Sequence, residues 1–369
     1  MNGKLKITLI AHQTGLSIST VSRVLAGKAN TSESARQKVM ACARQHGILQ
    51  QLSQGRLMLN NLVIFAPPRA FSVRTDIFYY RVIQSIVEAL SPYEVHLSSC
   101  GLEEERSDSA LFVARMNHPQ TQAALIIGID DPHIHSLAAD LNKPCVLINC
   151  SDREMRLDSV SPDHQLIGEF SASYLFQQGH RNILNLQCLR RTTMERRLAG
   201  IRQAWMRQNL TFDAEQHLIA TAGFSAEEAE LAIASWLSAL PDRSRWPSAI
   251  LAGSDFMAMG AVAAIHKLGL SVPNDISVMS TDGWNLAEIH DVPLTSVQVP
   301  RDELGFEAIQ LLQRRLLRPA APPCNLLLQG KLTLRESVRS FNAHKMKPAL
   351  STHHPQLYDE AHIINLFDK

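Results

Sequence analysis

Ser17, Ser19, Thr20, Ser22 and Arg23 form the first group in this chain whose residue types and spacing suit a particular chemistry. Hydroxyl residues are poor helix-interior residues, because their side chains compete for backbone hydrogen bonds. Here they crowd the start of a segment whose Val21, Val24 and Leu25 recur at helical spacing. Short hydroxyls let a backbone approach closely and donate to phosphate oxygens or base edges, and an arginine one turn further reaches a guanine edge. A capped surface helix is the plainer reading of the same residues.

Other candidate chemistries are thinner. The chain holds no G-x-x-x-x-G-K-[ST], no G-x-G-x-x-G after a strand, no G-x-S-x-G and no H-E-x-x-H. No catalytic residue, metal ligand set or cofactor is expected. The six cysteines are scattered with no C-x-x-C pair, and Cys145, Cys150 and Cys188 sit in apolar runs, as buried free thiols do. That usage fits a reducing cytoplasm. "QCLRRTTMERR" brings together Arg190, Arg191, Arg196 and Arg197, a cluster for a phosphorylated ligand or a solvated face.

Charge singles out the same front segment. Residues 1–56 carry eight Lys and Arg against Glu33 alone, so a head near +7 precedes a body near −6. So unbalanced a small domain meets a polyanion more often than it merely faces water. No apolar run of about 18 residues offers a membrane span, and the N-terminal apolar patch is too short for a signal peptide.

Three helices position the hydroxyl group. The first is expected from about Ile7 to Gln13 with Thr8 near its start, broken at Gly15. The second follows Ser17 and ends at Gly27; the third opens at Ser32, with Glu33 in its first turn and Ala35, Val39 and Cys42 on one face. Two helices joined by a short Gly-containing turn make a helix-turn-helix, whose second helix enters a DNA major groove.

"KITLIAHQTGLSISTVSRVLAGK" resembles the DNA-binding head of the lactose/galactose repressor (LacI/GalR) family, in Ala11, Gly15, Ser17 and the run Thr20–Leu25. The resemblance implies base reading by Ile18, Ser19 and Arg23, and phosphate contacts from Thr8, Ser17, Thr20, Ser22 and Asn30. It also implies a linker that becomes a helix on DNA and wedges a leucine into the minor groove, for which Leu57 is the candidate. The linker "GILQQLSQGRL" keeps Gly47 and Leu57 but places Gln50-Gln51, Gln54 and Gly55 where the family has Pro-Asn, Ala and Arg.

From residue 61 short apolar runs alternate with amphipathic stretches: "NLVIFAP", "EVHLSS", "AALIIGI", "PCVLINC", "NILNLQC", "SAILAG", "ISVMST" and "NLLLQGKLTL". That alternation means parallel sheets with helices on both faces. "QQGHRNILNL", "RRLAGIRQAW" and "LAGSDFMAMGAVAAIHKLGLSVPNDISVMSTDG" resemble the same family in order. The resemblance implies an α/β protein: a helix-turn-helix head (1–48), a hinge (49–60), and a periplasmic-binding-protein-like body (61–340) of two doubly wound parallel-sheet subdomains joined by three crossings. A tail (341–369) is expected to be disordered or surface-docked, and its histidines (His344, His353, His354, His362) lack metal-site spacing.

In such a body, strand carboxyl ends face a ligand. The matching positions are Phe78, Tyr79, Asn149, Arg197, Ser254, Asp282 and Trp284. Arg197 and Asp282 can grip adjacent hydroxyls, and Trp284 can stack on a sugar ring. Asp255 reads as a helix-start residue instead. The expectation is a cytoplasmic repressor that binds a double-stranded, pseudo-palindromic operator as a homodimer (a tetramer left open). A small-molecule effector, a sugar or sugar derivative, would control it. The alternatives are a regulator whose degenerate cleft answers to a protein partner, and an α/β enzyme fused to a DNA-binding head.

Overall fold

The structure, a computed structural model, describes residues 3–26, 31–46, 57–104, 106–240, 242–284 and 292–341. The head packs α1 (Gly3–Thr14), α2 (Ile18–Leu25) and α3 (Glu33–Gln45) around Ile10, Val21, Val24, Leu25, Val39 and Ala43. Ser17 and Ser32 cap α2 and α3, each accepting an orphan first-turn N–H, from Thr20 and Ala35. The first helix starts four residues earlier than the spacing suggests, so Thr8 lies within it, exposed, and does not cap it.

The body consists of two subdomains. The N-terminal one contains β1 (Asn61–Ala66), α4 (Ile77–Leu90), β2 (His96–Gly101), α5 (Ser109–Asn117), β3 (Ala123–Ile127), α6 (Pro132–Asp140), β4 (Cys145–Ile148) and β5 (Asp158–Pro162). The chain then crosses into α7 (His164–Gln177), β6 (Ile183–Cys188), α8 (Thr192–Arg207), α9 (Ala214–His217), β7 (Leu218–Thr221), α10 (Ala226–Ser238), β8 (Ala249–Ala252), α11 (Asp255–Lys267), β9 (Ser277–Ser280) and β10 (Thr295–Gln298). It returns for α12 (Arg301–Leu317) and β11 (Asn325–Leu328), and crosses a third time into β12 (Lys331–Thr333).

The first sheet runs β11-β5-β4-β3-β1-β2, all parallel; the second runs β12-β10-β9-β8-β6-β7, parallel except for antiparallel β12. Apolar strands such as β3, buried at every position, are sandwiched between helices on both faces. The single run "NLLLQGKLTL" is split between the two sheets. Strands β5 and β10 escape a reading by apolar content, because "DSVSP" and "TSVQ" are largely polar. Their buried polar groups are paired; Asp158, for example, meets Arg314 at 3.3 Å and Arg315 at 2.7 Å.

Head and body meet through residues 57–59, which alternate sides as extended chain does. Leu57 and Leu59 enter the core of the first subdomain, while Met58 joins the core of the head. Arg36 donates to the Met58 carbonyl at 2.6 Å, and Arg44 donates to the Leu316 carbonyl at the end of α12 at 3.1 Å.

Candidate functional sites

The start of α2 presents an exposed polar face. Ser17, Ile18, Ser19, Ser22 and Arg23 are exposed and Thr20 is half-buried, while Val21, Val24 and Leu25 turn inward. The Ser17 hydroxyl lies 2.9 Å from that of Ser19 and 2.8 Å from that of Thr20. Arg23 reaches back to Ser19, its Nε donating to the carbonyl at 3.4 Å. Ile18, 55% exposed, is a large apolar side chain that the head's own core does not use. Thr8 is exposed on α1. Asn30, the linker through residue 56, and the tail after residue 341 lie outside the described residues.

Leu57 differs from expectation. It is packed against the body core, so in this arrangement it is a packing residue and not one presented to a groove. Entry into DNA would require withdrawing a buried leucine.

Between the subdomains, three of the expected residues and several others form one polar chain. Asn149 ends β4 with φ 55°, a left-handed conformation that asparagine tolerates better than most residues. Its Nδ2 donates to the Tyr79 hydroxyl at 2.9 Å, and its Oδ1 accepts from His164 Nε2 at 2.8 Å. His164 Nδ1 in turn accepts from Arg197 at 2.9 Å. Arg197, 2% exposed, also donates to the Gly253 carbonyl at 2.8 Å and to Thr281 Oγ1 at 2.7 Å. Burial and then the Arg197 charge hold His164 well below its ordinary value, so the ring is neutral. Gly200, three residues beyond Arg197, lets α8 pass against α7: a β-carbon there would lie 1.9 Å from the Gln165 carbonyl oxygen.

The other expected residues serve different partners. Ser254 caps α11, accepting from the Met257 N–H at 3.2 Å. Asp255 accepts the N–H groups of Gly283 and Trp284, in keeping with its reading as a structural residue. Asp282 is pushed up to about 6 by burial and by the nearby Asp255. The Arg197 and Arg301 charges act on it in the opposite direction. Trp284 has Arg301 over one face of its ring, 3.4 Å from the centroid. Phe78 is half-buried and touches the cores of both subdomains.

The arginine run divides. Arg197 faces the polar chain just described. Arg190 pairs with Glu104 at 3.4 Å, and Arg191 enters the N-terminal subdomain, where its Nε donates to Asp130 at 3.0 Å. Arg196 donates to Ser151 across the subdomains at 2.7 Å. A cavity of about 360 Å³ opens beside it, walled by Asp130, Ser151 and Asp152 on one side and Thr192, Glu195 and Arg196 on the other. None of the seven expected effector residues lines this cavity. His164, Asp130 and Arg191 were not singled out for the cleft from sequence; Asp130, just past the apolar run of β3, carries the strand-end signal that could have found it.

Comparison with known proteins joins these two regions. Residues 6–48 match the model of bacterial regulatory proteins, lacI family, and residues 172–338 match a periplasmic binding protein-like domain. The chain joins a lacI-family head to a periplasmic binding protein-like body. With that head and its repressor relatives, it is a DNA-binding transcriptional regulator. It is 28% identical over 340 residues to the HTH-type transcriptional repressor CytR of Escherichia coli K12, covering 90% of this chain and 96% of that one. It is 26% identical over 338 residues to the ribose operon repressor of Haemophilus influenzae, covering 90% and 98%. Its fold matches that of the Lac repressor dimer bound to operator and an anti-inducer (TM-score 0.65, 22% identity, 90% of this chain and 98% of that one). It likewise matches the regulator CelR in complex with cellobiose (TM-score 0.64, 22% identity, 90% and 99%). Among the described residues no helix is long and apolar enough to cross a membrane.

Proposed function

We propose that this regulator is a LacI-family repressor that binds a pseudo-palindromic operator as a homodimer and changes affinity with a small molecule held between its subdomains. The observation that carries this reading is the exposed face of α2, with Ile18, Ser19 and Arg23 free of the head's core at the front of a basic segment. Ile18, Ser19 and Arg23 would read bases; Ser17, Thr20, Ser22, Thr8 and Asn30 would position the head on phosphates. The head presents an exposed polar helix face and the body a cleft between its subdomains, an arrangement that favours a regulator over an enzyme.

For the effector, the cavity beside Arg196 and Ser151 has the size of a small-ligand site. Its mixed carboxylate, hydroxyl and guanidinium walls suit a polyhydroxylated molecule such as a sugar or sugar derivative. The ribose operon repressor that this chain resembles, and the cellobiose complex of CelR, point the same way.

The test has two parts. A thermal-shift screen of the full chain against sugars, sugar phosphates and nucleosides should give a hit, because a ligand of the folded state raises the melting temperature by mass action. Operator selection followed by titration of Arg23→Ala should show a loss of about 1–3 kcal/mol confined to one base position. A uniform loss at every base would make Arg23 a phosphate contact, and no loss would remove it from the interface.

A further inference from the structure

Asp130 and Arg191 face each other across the cleft, 3.0 Å apart. Asp130 follows β3 in the N-terminal subdomain, while Arg191 immediately precedes α8 in the C-terminal one. The N-terminus of α8 has no cap from its own flank, since Arg191 occupies the N-cap position and supplies no capping side chain. The Asp130 carboxyl group stands beside that N-terminus, on the same cavity as Thr192. A helix N-terminus is where an anion is stabilised, by its free N–H groups and its dipole. Here the anion is a carboxylate of the opposite subdomain.

The arginine does the converse. Its guanidinium is 5% exposed. Its Nε lies 3.0 Å from Asp130 and 3.7 Å from Glu104; its Nη2 donates to the Asn149 carbonyl at 2.9 Å; and it stands 5.5 Å from the centroid of the Tyr79 ring. All four partners belong to the N-terminal subdomain. The acidic wall that holds it is itself braced: Arg69 pairs with Glu104 at 2.6 Å and with Asp76 at 2.8 Å.

We propose that Asp130 and Arg191 are an intramolecular latch, each acting as the other subdomain's ligand, that holds the body closed. A carboxylate takes the anion's place on α8 and a guanidinium takes a cation's place on the acidic wall. Closure by these side chains carries the burial of Tyr79, Asn149 and His164 with it. A small molecule in the adjoining cavity, which shares Asp130 and Thr192 with the latch, acts on the subdomain angle by strengthening or releasing this pair. The proposal rests on the reading of this cleft as the regulatory one.

The experiment uses the full chain, dialysed free of small molecules. Solution scattering and hydrogen exchange are compared for the wild type, Asp130→Ala, Asp130→Asn, Arg191→Gln and the double variant Asp130→Ala/Arg191→Gln. The wild type should scatter as the closed body. Asp130→Ala should speed amide exchange at the start of α8 about tenfold or more, the effect of losing one charge-assisted hydrogen bond, here the one from Arg191 Nε. Asp130→Ala and Arg191→Gln should each shift the radius of gyration upward, and the double variant should shift it no further. Asp130→Asn, which keeps an acceptor and loses the charge, should fall between. A wild type that scatters as an open body overturns the proposal, as do folded variants with unchanged radius and exchange. If Asp130→Ala fails to fold, Asp130→Asn and Arg191→Gln decide the matter. Scattering reads closure whether or not the protein binds operator or sugar, so failure of the functional reading leaves this result separate.

Discussion

Substituting Gly128 by alanine tests whether the wall of the cleft is as tightly fitted as the structure shows. Gly128 follows β3 with φ +63°. A β-carbon there would meet Tyr79 at 2.6 Å from Cζ and 2.7 Å from the hydroxyl oxygen. Two costs follow. The left-handed backbone costs an L-residue about 1–2 kcal/mol. Forcing the Tyr79 ring aside in a packed site adds about 1–3 kcal/mol, and its bond to Asn149 is strained in the process. Gly128→Ala should therefore destabilise the body by roughly 2–5 kcal/mol, a large share of a typical folding free energy. Gly269 supplies the control, because it has φ +74° and nothing within 4 Å of the β-carbon position. Gly269→Ala should cost the backbone part alone. Urea unfolding followed by circular dichroism gives both values. In a Tyr79→Ala background the penalty of Gly128→Ala should shrink to that of Gly269→Ala. Equal penalties for the two glycine variants in the wild-type background would refute the close contact, and a penalty unchanged by Tyr79→Ala would refute the assignment to that ring.

Three further outcomes are expected. Leu57→Ala should destabilise the body by about 2–5 kcal/mol, the usual loss for a buried leucine; unchanged stability with weakened operator binding would instead assign Leu57 to the minor groove. Ser17→Ala removes the acceptor for the Thr20 N–H, so it should cost about 0.5–2 kcal/mol of helix stability, read as faster amide exchange at the start of α2. Burial lowers His180 from 6.5 to about 4, with the ring between Ser248 and the Arg339 carbonyl. The unfolded chain thus binds a proton that the native state does not, so stability is full above pH 6.5 and falls as pH drops toward 4. His180→Phe should flatten part of the difference between urea midpoints at pH 7 and pH 5; an undiminished difference would place the titration elsewhere.

The head was legible in the sequence because its determinants are local. Ser17 and Ser32 cap helices within three residues of themselves, and Val21, Val24 and Leu25 share a face by helical period alone. The parallel body was legible wherever strands are apolar runs. It was not legible in β5 and β10, whose polar residues are buried only because distant partners such as Arg314 and Arg315 satisfy them. The cleft was half legible. Tyr79, Asn149 and Arg197 fall where the resemblance implies, but their partners do not follow from that. One face of the Trp284 ring carries Arg301, and Leu57 packs in the body core.

The sequence by itself thus determined the helical head, the alternation of strand and helix, and the residue types that could meet DNA and a ligand. Only the tertiary structure decided which of them meet each other. Asp130 and Arg191 are 61 residues apart and lie on different subdomains. Nothing in local propensity joins a strand-end carboxylate to a distant helix that lacks its own cap. That pairing follows from where the three crossings bring the two sheets, and from the cost of leaving a buried charge or a helix N-terminus without a partner.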